Sequence, residues 1–183
     1  MSLPAGSTIG IIGGGQLGRM LAVAAARLGY RTVVLEPQAD CPAAQVANRQ
    51  ITAAYDDPAA LAELAGSSSV VTYEFENVPV AAASALAAKV PVYPPARALE
   101  VAQDRVDEKT FLNGIGIATA DFHAVDNDDQ LIAALKAFDG SGVLKTRRMG
   151  YDGKGQRVFR NMEAGGFAGT CEAMGNVPLI LEA

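Results

Sequence analysis

Apolar residues fall in short blocks along the chain, and the spacing of those blocks changes partway. Thr8-Ile-Gly-Ile-Ile12 is a β-branched block, too short for a helix, and reads as a buried strand. Gly13-Gly-Gly-Gln-Leu-Gly18 follows, and Arg19 to Leu28, rich in Ala, Leu and Met, reads as a helix that Gly29 closes. Arg31-Thr-Val-Val-Leu35 is a second strand, ending at Glu36-Pro37. Strand, turn, helix and strand in that order predict a parallel sheet. Ala43 to Asn48 reads as a short helix and Gln50 to Ala53 as a brief strand. Asp57-Pro58 supplies a cap and a first helical position for a helix over Ala59–Ala65. Val70 to Glu76 reads as a strand throughout, so Glu74 and Glu76 should share one face and Phe75 the other. Pro79 to Ala88 is a helix, and Pro91 to Pro95 a short edge strand and turn.

Beyond this point the rhythm differs. Ala98 to Leu112 reads as one polar helix, broken by Asn113-Gly-Ile-Gly116, with Asp104, Arg105, Glu108 and Lys109 spaced for ion pairs on its surface. A strand near Phe122–Val125, a helix over Asp128–Phe138 and a strand at Val143–Thr146 follow. Next come a glycine-rich loop, a strand at Gln156–Phe159, an unpatterned stretch from Met162 to Met174 and a last apolar run, Val177 to Ala183. The expected class is α/β: a Rossmann-like parallel-sheet domain over 1–103, then a linker helix and a small α+β domain over 104–183. The chain stops on a strand with no polar tail, so it is expected to be a piece of a longer protein.

Composition narrows the options. Half of the 183 residues are hydrophobic and 19% are charged, which suits a globular chain. A net charge of −5 and a pI near 4.9 offer no electrostatic footprint for nucleic acid or an anionic membrane. No apolar run approaches the ~20 residues of a spanning helix, and the N-terminus lacks the plan of a signal peptide. Cys41 and Cys171 stand far apart, outside any Cys-x-x-Cys spacing, and read as incidental thiols of a reduced, cytoplasmic protein. His123 has no ligand-type neighbours and reads as a structural or surface residue. No metal-binding cluster is expected.

Two stretches carry candidate chemistry. Lys145-Thr-Arg-Arg-Met-Gly-Tyr-Asp-Gly-Lys-Gly-Gln156 brings a strand lysine into a loop holding Gly150, Gly153 and Gly155. Without Cβ atoms the backbone N–H groups can curl around phosphates, and Lys145 and Lys154 add charge. It is not a Walker loop, since no Gly-Lys-Ser/Thr follows at the required spacing. Asp152-Gly153 between two apolar blocks also predicts a β-hairpin, and both readings are compatible. The second stretch is Gly13-x-Gly15-x-x-Gly18 between strand and helix, with Glu36 where a dinucleotide fold carries its ribose acid. A nicotinamide-dependent oxidoreductase is therefore an alternative. Glycines that merely permit a tight strand-to-helix crossing are another.

Gly13-Gly-Gly-Gln-Leu-Gly-Arg-Met20, Thr72-Tyr-Glu-Phe-Glu-Asn-Val78 and the loop Lys145 to Gln156 together resemble the 5-(carboxyamino)imidazole ribonucleotide synthetase family of ATP-grasp enzymes in purine biosynthesis. The resemblance implies a pre-ATP-grasp domain followed by the central ATP-grasp subdomain, with the C-terminal subdomain absent, in a family about twice as long. It implies carboxylation of aminoimidazole ribonucleotide by bicarbonate and ATP through carboxyphosphate. By position, Arg105, Lys145, Gly150, Tyr151, Asp152, Gly153, Lys154, Gly155, Gln156 and Glu182 resemble ATP-binding residues. Gly14, Gln16, Leu17, Glu74, Glu76 and Tyr151 resemble the substrate side, and Tyr151, Asp152 and Lys154 the catalytic set. Mg2+ is implied, with ligands in the missing half, as is a full-length homodimer. The chain alone is expected to be inactive. Formate-dependent glycinamide ribonucleotide transformylase, whose N-terminal turn is similar, is a further alternative, and so is a module that only binds a ribonucleotide.

Overall fold

The computed structural model describes residues 3–150, 155–160 and 167–183, and the chain divides into two compact units, Met1–Glu100 and Val101–Ala183. In the first unit, β1 (Thr8–Ile12), α1 (Gln16–Arg27), β2 (Arg31–Leu35), β3 (Arg49–Ile51), α2 (Pro58–Ser67), β4 (Val70–Tyr73) and α3 (Val80–Ala87) follow in order. The strands form a parallel sheet of order β3-β2-β1-β4, and Val92 extends it by a parallel bridge to Val71. Both faces are covered, which is why β1 and β2 are near-continuous apolar runs. Ile12, Leu35, Leu64, Val71 and Leu86 form the core on one face, and Ile11, Ala22, Val34, Cys41 and Ala43 the core on the other. Asp57 caps α2 through a 2.7 Å bond from the Ala60 N–H, with Pro58 in the first turn.

α4 (Ala96–Ala102) leads into the second unit, which holds α5 (Arg105–Gly114), β5 (Phe122–Val125), α6 (Asp128–Ala137), β6 (Gly142–Thr146), β7 (Gln156–Phe159), α7 (Thr170–Ala173) and β8 (Leu179–Glu182). Its antiparallel sheet has the order β5-β8-β6-β7. The register puts Val125, Leu144, Phe159, Leu179 and Leu181 on the face that packs with Leu131 and Leu135 of α6. Phe122, Val143, Lys145, Gln156, Val158, Ile180 and Glu182 alternate onto the opposite face.

Several elements depart from the sequence expectation. Ala43–Asn48 makes one helical turn, with the Ala47 N–H on the Ala43 carbonyl, before Asn48 turns its side chain to the Thr32 N–H at 2.8 Å. The strand expected at Gln50–Ala53 runs instead over Arg49–Ile51. β4 stops at Tyr73, because Phe75 folds inward onto the Tyr55 ring at 5.3 Å. Two-residue alternation therefore does not govern Glu74 and Glu76. The single helix expected over Ala98–Leu112 is two, since Asp104 caps α5 by accepting the Val106 N–H at 3.0 Å. α7 lies in the stretch that showed no pattern. The Asp152-Gly153 turn falls outside the described residues.

Candidate functional site

In the first unit, the chain leaves β1 through Gly13 at φ +103, a backbone angle that disfavours any residue with a Cβ. A Cβ on Gly18, in the first turn of α1, would sit within 3 Å of the Gly13 carbonyl oxygen. These two glycines let helix and strand meet tightly, whatever binds nearby. No side chain of its own N-cap closes α1, whose first N–H groups favour negative charge. In the turn just ahead of them, negative charge comes from the protein. Glu36 Oε2 accepts the Gly14 N–H at 2.8 Å, and Glu74 Oε1 accepts the Gly15 N–H at 3.3 Å. Glu36 Oε2 also accepts the Tyr55 hydroxyl at 2.5 Å, and its Oε1 the Gln38 N–H at 3.1 Å. Burial, followed by the bond to Glu36, holds the Tyr55 phenol far above its usual range, so the hydroxyl stays a donor.

This bonding corrects one sequence expectation. Glu36 is occupied by the turn itself and is not held free for a ribose hydroxyl, which removes the acid from the dinucleotide fingerprint. Gly14, Gln16, Leu17 and Glu74 do come together at the turn, with Gln16 and Leu17 exposed in the first turn of α1. Glu76 lies in the turn after β4, where it accepts the Asn77 side-chain amide at 3.2 Å.

In the second unit, Lys145 and Glu182 lie on adjacent strands, on the sheet face opposite α6, and Lys145 Nζ reaches Glu182 Oε2 at 2.5 Å. Lys109, from α5, approaches Glu182 Oε1 at 3.7 Å and lies over the Phe122 ring. Two ammonium groups around one carboxylate leave a local excess of positive charge. Arg105 does not point an open guanidinium into this pair. Its Nη2 donates to the Gly150 carbonyl at 2.6 Å and its Nη1 to that of Thr146 at 3.4 Å.

Beside it, Asp104 is buried, with 5% of its surface exposed, and accepts Arg147 Nε at 2.8 Å and Arg148 Nε at 3.5 Å. Burial alone would raise its pKa. The Arg147 bond and the N–H groups of Val106 and Asp107 outweigh burial and hold the carboxyl below its usual range. At the far end of the loop, the Thr146 N–H donates to the Gly155 carbonyl at 2.9 Å, and Lys145 pairs with Gln156 across the ladder. Both stems of the loop are thereby fixed. Tyr151, Asp152, Gly153 and Lys154 lie outside the described residues. A cleft of ≈ 520 Å³ borders the stem, lined in part by Thr146, Arg147, Met149, Met174 and Pro178.

Sequence reasoning gave Tyr55 and Arg147 no role and read Asp104 and Lys109 only as helix-surface charges. Tyr55 sits in an unpatterned loop, and Asp104 and Arg147 meet across 43 residues, a pairing without a local signature. His123 is exposed and rests against the Phe138 ring at 5.0 Å. Among the described residues no group of three or more His, Cys, Asp or Glu side chains could hold a metal ion, and no helix is long and apolar enough to cross a membrane.

The profile of the ribonucleotide synthetase preATP-grasp domain matches residues 6–103. The chain belongs to the ribonucleotide synthetase preATP-grasp family. In this preATP-grasp chain the ATP-grasp domain profile then matches residues 110–183. Over 181 residues it is 62% identical to the N5-carboxyaminoimidazole ribonucleotide synthase of Brucella melitensis biotype 1, covering 99% of this chain and 50% of that protein. An ADP complex of purK, an N5-carboxyaminoimidazole ribonucleotide synthetase, matches with a TM-score of 0.91 at 40% identity, over 98% of this chain and 47% of its own. The Aspergillus clavatus N5-carboxyaminoimidazole synthase, solved with ADP and 5-aminoimidazole ribonucleotide, matches with a TM-score of 0.84 at 26% identity, over 97% and 46% of the two chains. The preATP-grasp chain thus spans about half the length of the curated relatives it matches.

Proposed function

We propose that this chain is the part of an ATP-grasp ligase that carries the ribonucleotide-side turn and one wall of the ATP site. The ligase carboxylates 5-aminoimidazole ribonucleotide with bicarbonate in purine biosynthesis. The observation that carries this reading is likeness over almost the whole chain to synthetases solved with ADP and with aminoimidazole ribonucleotide. The fixed-stem glycine loop beside Lys145 supports it. In this reading Lys145, Lys109 and Glu182 present positive charge and a hydrogen-bond acceptor to the nucleotide, and Arg105 sets the height of the loop.

Tyr151, Asp152 and Lys154 would act from the loop tip, and Gly14, Gln16, Leu17 and Glu74 would face the ribonucleotide. A carboxyphosphate intermediate decomposes in water, so a site that excludes water answers a chemical need. Phosphoryl transfer of this type calls for Mg2+. The described residues do not form its site, and we place its ligands outside this chain. The complete enzyme is expected in the cytoplasm as a homodimer.

The nicotinamide alternative is disfavoured by the occupied Glu36 carboxylate, and the transformylase alternative by the identity of the relatives. The test is ADP release by the complete enzyme with ATP, bicarbonate and aminoimidazole ribonucleotide. ADP release should require all three, and the 183-residue chain alone should give none above a protein-free blank. Turnover with glycinamide ribonucleotide and formate in place of the imidazole substrate would sink the reading.

A further inference from the structure

Two separate carboxylates occupy the N–H groups of Gly14 and Gly15, and one aromatic contact holds both. Glu36 grips Gly14 and is itself fixed by the Tyr55 hydroxyl. Glu74 grips Gly15, and its neighbour Phe75 packs on the Tyr55 ring at 5.3 Å. Tyr55 therefore touches both arms, through its oxygen on one side and its ring on the other. A carboxylate offers about four acceptor directions, and three on Glu36 are taken, by Gly14, Tyr55 and Gln38. Glu36 is thus built into the turn. Glu74 accepts the longer bond and is the softer of the two arms. The fit behind the turn is close: a Cβ on Gly14 would run into Glu36 and the buried Cys41 sulfur.

We propose that Tyr55 and Glu36 are positioning residues for the ribonucleotide side of the site, setting the orientation of the Gly14-Gly15 peptides and of Glu74 through the Tyr55–Phe75 contact. The inference rests on the reading that this turn faces the ribonucleotide. It also gives the turn a chemical preference. With the Gly14 and Gly15 N–H groups already bonded to them, the two carboxylates suit a hydrogen-bond donor, such as a sugar hydroxyl or an amine.

The test compares wild type, Tyr55→Phe and Glu36→Gln in the complete enzyme. Tyr55→Phe keeps the ring contact and removes one bond to a charged acceptor. The KM for aminoimidazole ribonucleotide should rise about tenfold, with the KM for ATP unchanged. Glu36→Gln should shift the same constant in the same direction. In protein carrying ¹⁵N-glycine, Tyr55→Phe should also move the Gly14 amide resonance and speed its hydrogen exchange, while Gly29 stays in place. A parallel rise in both KM values, no rise in either, or an unmoved Gly14 amide overturns the proposal. If wild type fails to use the ribonucleotide at all, the functional reading fails instead. The Gly14 amide then decides the positioning role by itself.

Discussion

Asp104→Asn separates the charge at this position from its capping role, because Asn caps a helix about as well as Asp. In the native chain the carboxylate accepts Arg147 Nε at 2.8 Å and Arg148 Nε at 3.5 Å, and it holds the Val106 and Asp107 N–H groups. Losing a hydrogen bond between charged groups costs about 1.5–3 kcal/mol, and breaking a fully buried pair about 3–5. Arg147 keeps 21% of its side-chain surface in solvent and can recover some hydration, so the lower range applies. The expected loss is about 2 kcal/mol, and Asp104→Ala should add about 1 more for the lost cap.

Hydrogen exchange at the amides of Leu144 and Leu181, in the centre of the second sheet, reads this loss within the second unit. The pH dependence supplies an independent check. The folded carboxyl titrates below its unfolded value near 3.8, so its contribution is complete above that pH and disappears as the pH falls through the lower folded value. Wild type should lose exchange stability in that interval, and Asp104→Asn should lose less. A loss under about 0.5 kcal/mol for Asp104→Asn, within the range of ordinary surface changes, together with an unchanged acid profile, would refute the reasoning.

Other perturbations give sharp contrasts. Gly18→Ala forces a Cβ against the Gly13 carbonyl and should cost about 3 kcal/mol, whereas Gly66→Ala, in α2 with open space around it, should gain about 0.5; urea unfolding measures both. Burial, aided by Asp128, raises the Cys171 thiol to about 11, so its stabilising contribution is whole below pH 9.0 and declines as the pH climbs through 11; the pH profile of iodoacetamide labelling should be displaced accordingly, and Asp128→Asn should bring it down. Lys145→Met leaves Glu182 with only the 3.7 Å Lys109 contact among the described residues, and should weaken ADP binding about tenfold or more by calorimetry.

The architecture was legible where apolar blocks were long and punctuated. Thr8–Ile12, Arg31–Leu35 and Phe122–Val125 lie where their β-branched or aromatic runs placed them, and Asp57-Pro58 opens α2 as its capping chemistry requires. Legibility failed where tertiary contacts overrode local pattern. Phe75 belongs to the Tyr55 contact, so β4 ends three residues before the alternation does. Asp104 was read as one more charge on a helix face, yet it caps the start of α5 and pairs with two arginines that follow β6. Glu36 matched a ligand-binding spacing while its actual partners are a glycine amide and a distant tyrosine. Motif spacing specifies the backbone path. It does not say which group fills the acceptor or donor positions along it.

The two sheets also differ in the order in which their centres are synthesised. In the first, β1 is internal and is made at the outset, so β2 and β4 can be added to an existing strand as they emerge. In the second, β8 lies between β5 and β6, although it is made after both of them. Until residues 179–182 leave the ribosome, β5 lacks its partner and the β6–β7 hairpin presents a bare edge. The nascent chain should therefore carry a folded first unit and an open, association-prone second one for several seconds, at about 5–20 residues per second. A polysome-bound chain stalled before residue 179 should recruit chaperones at the second unit alone.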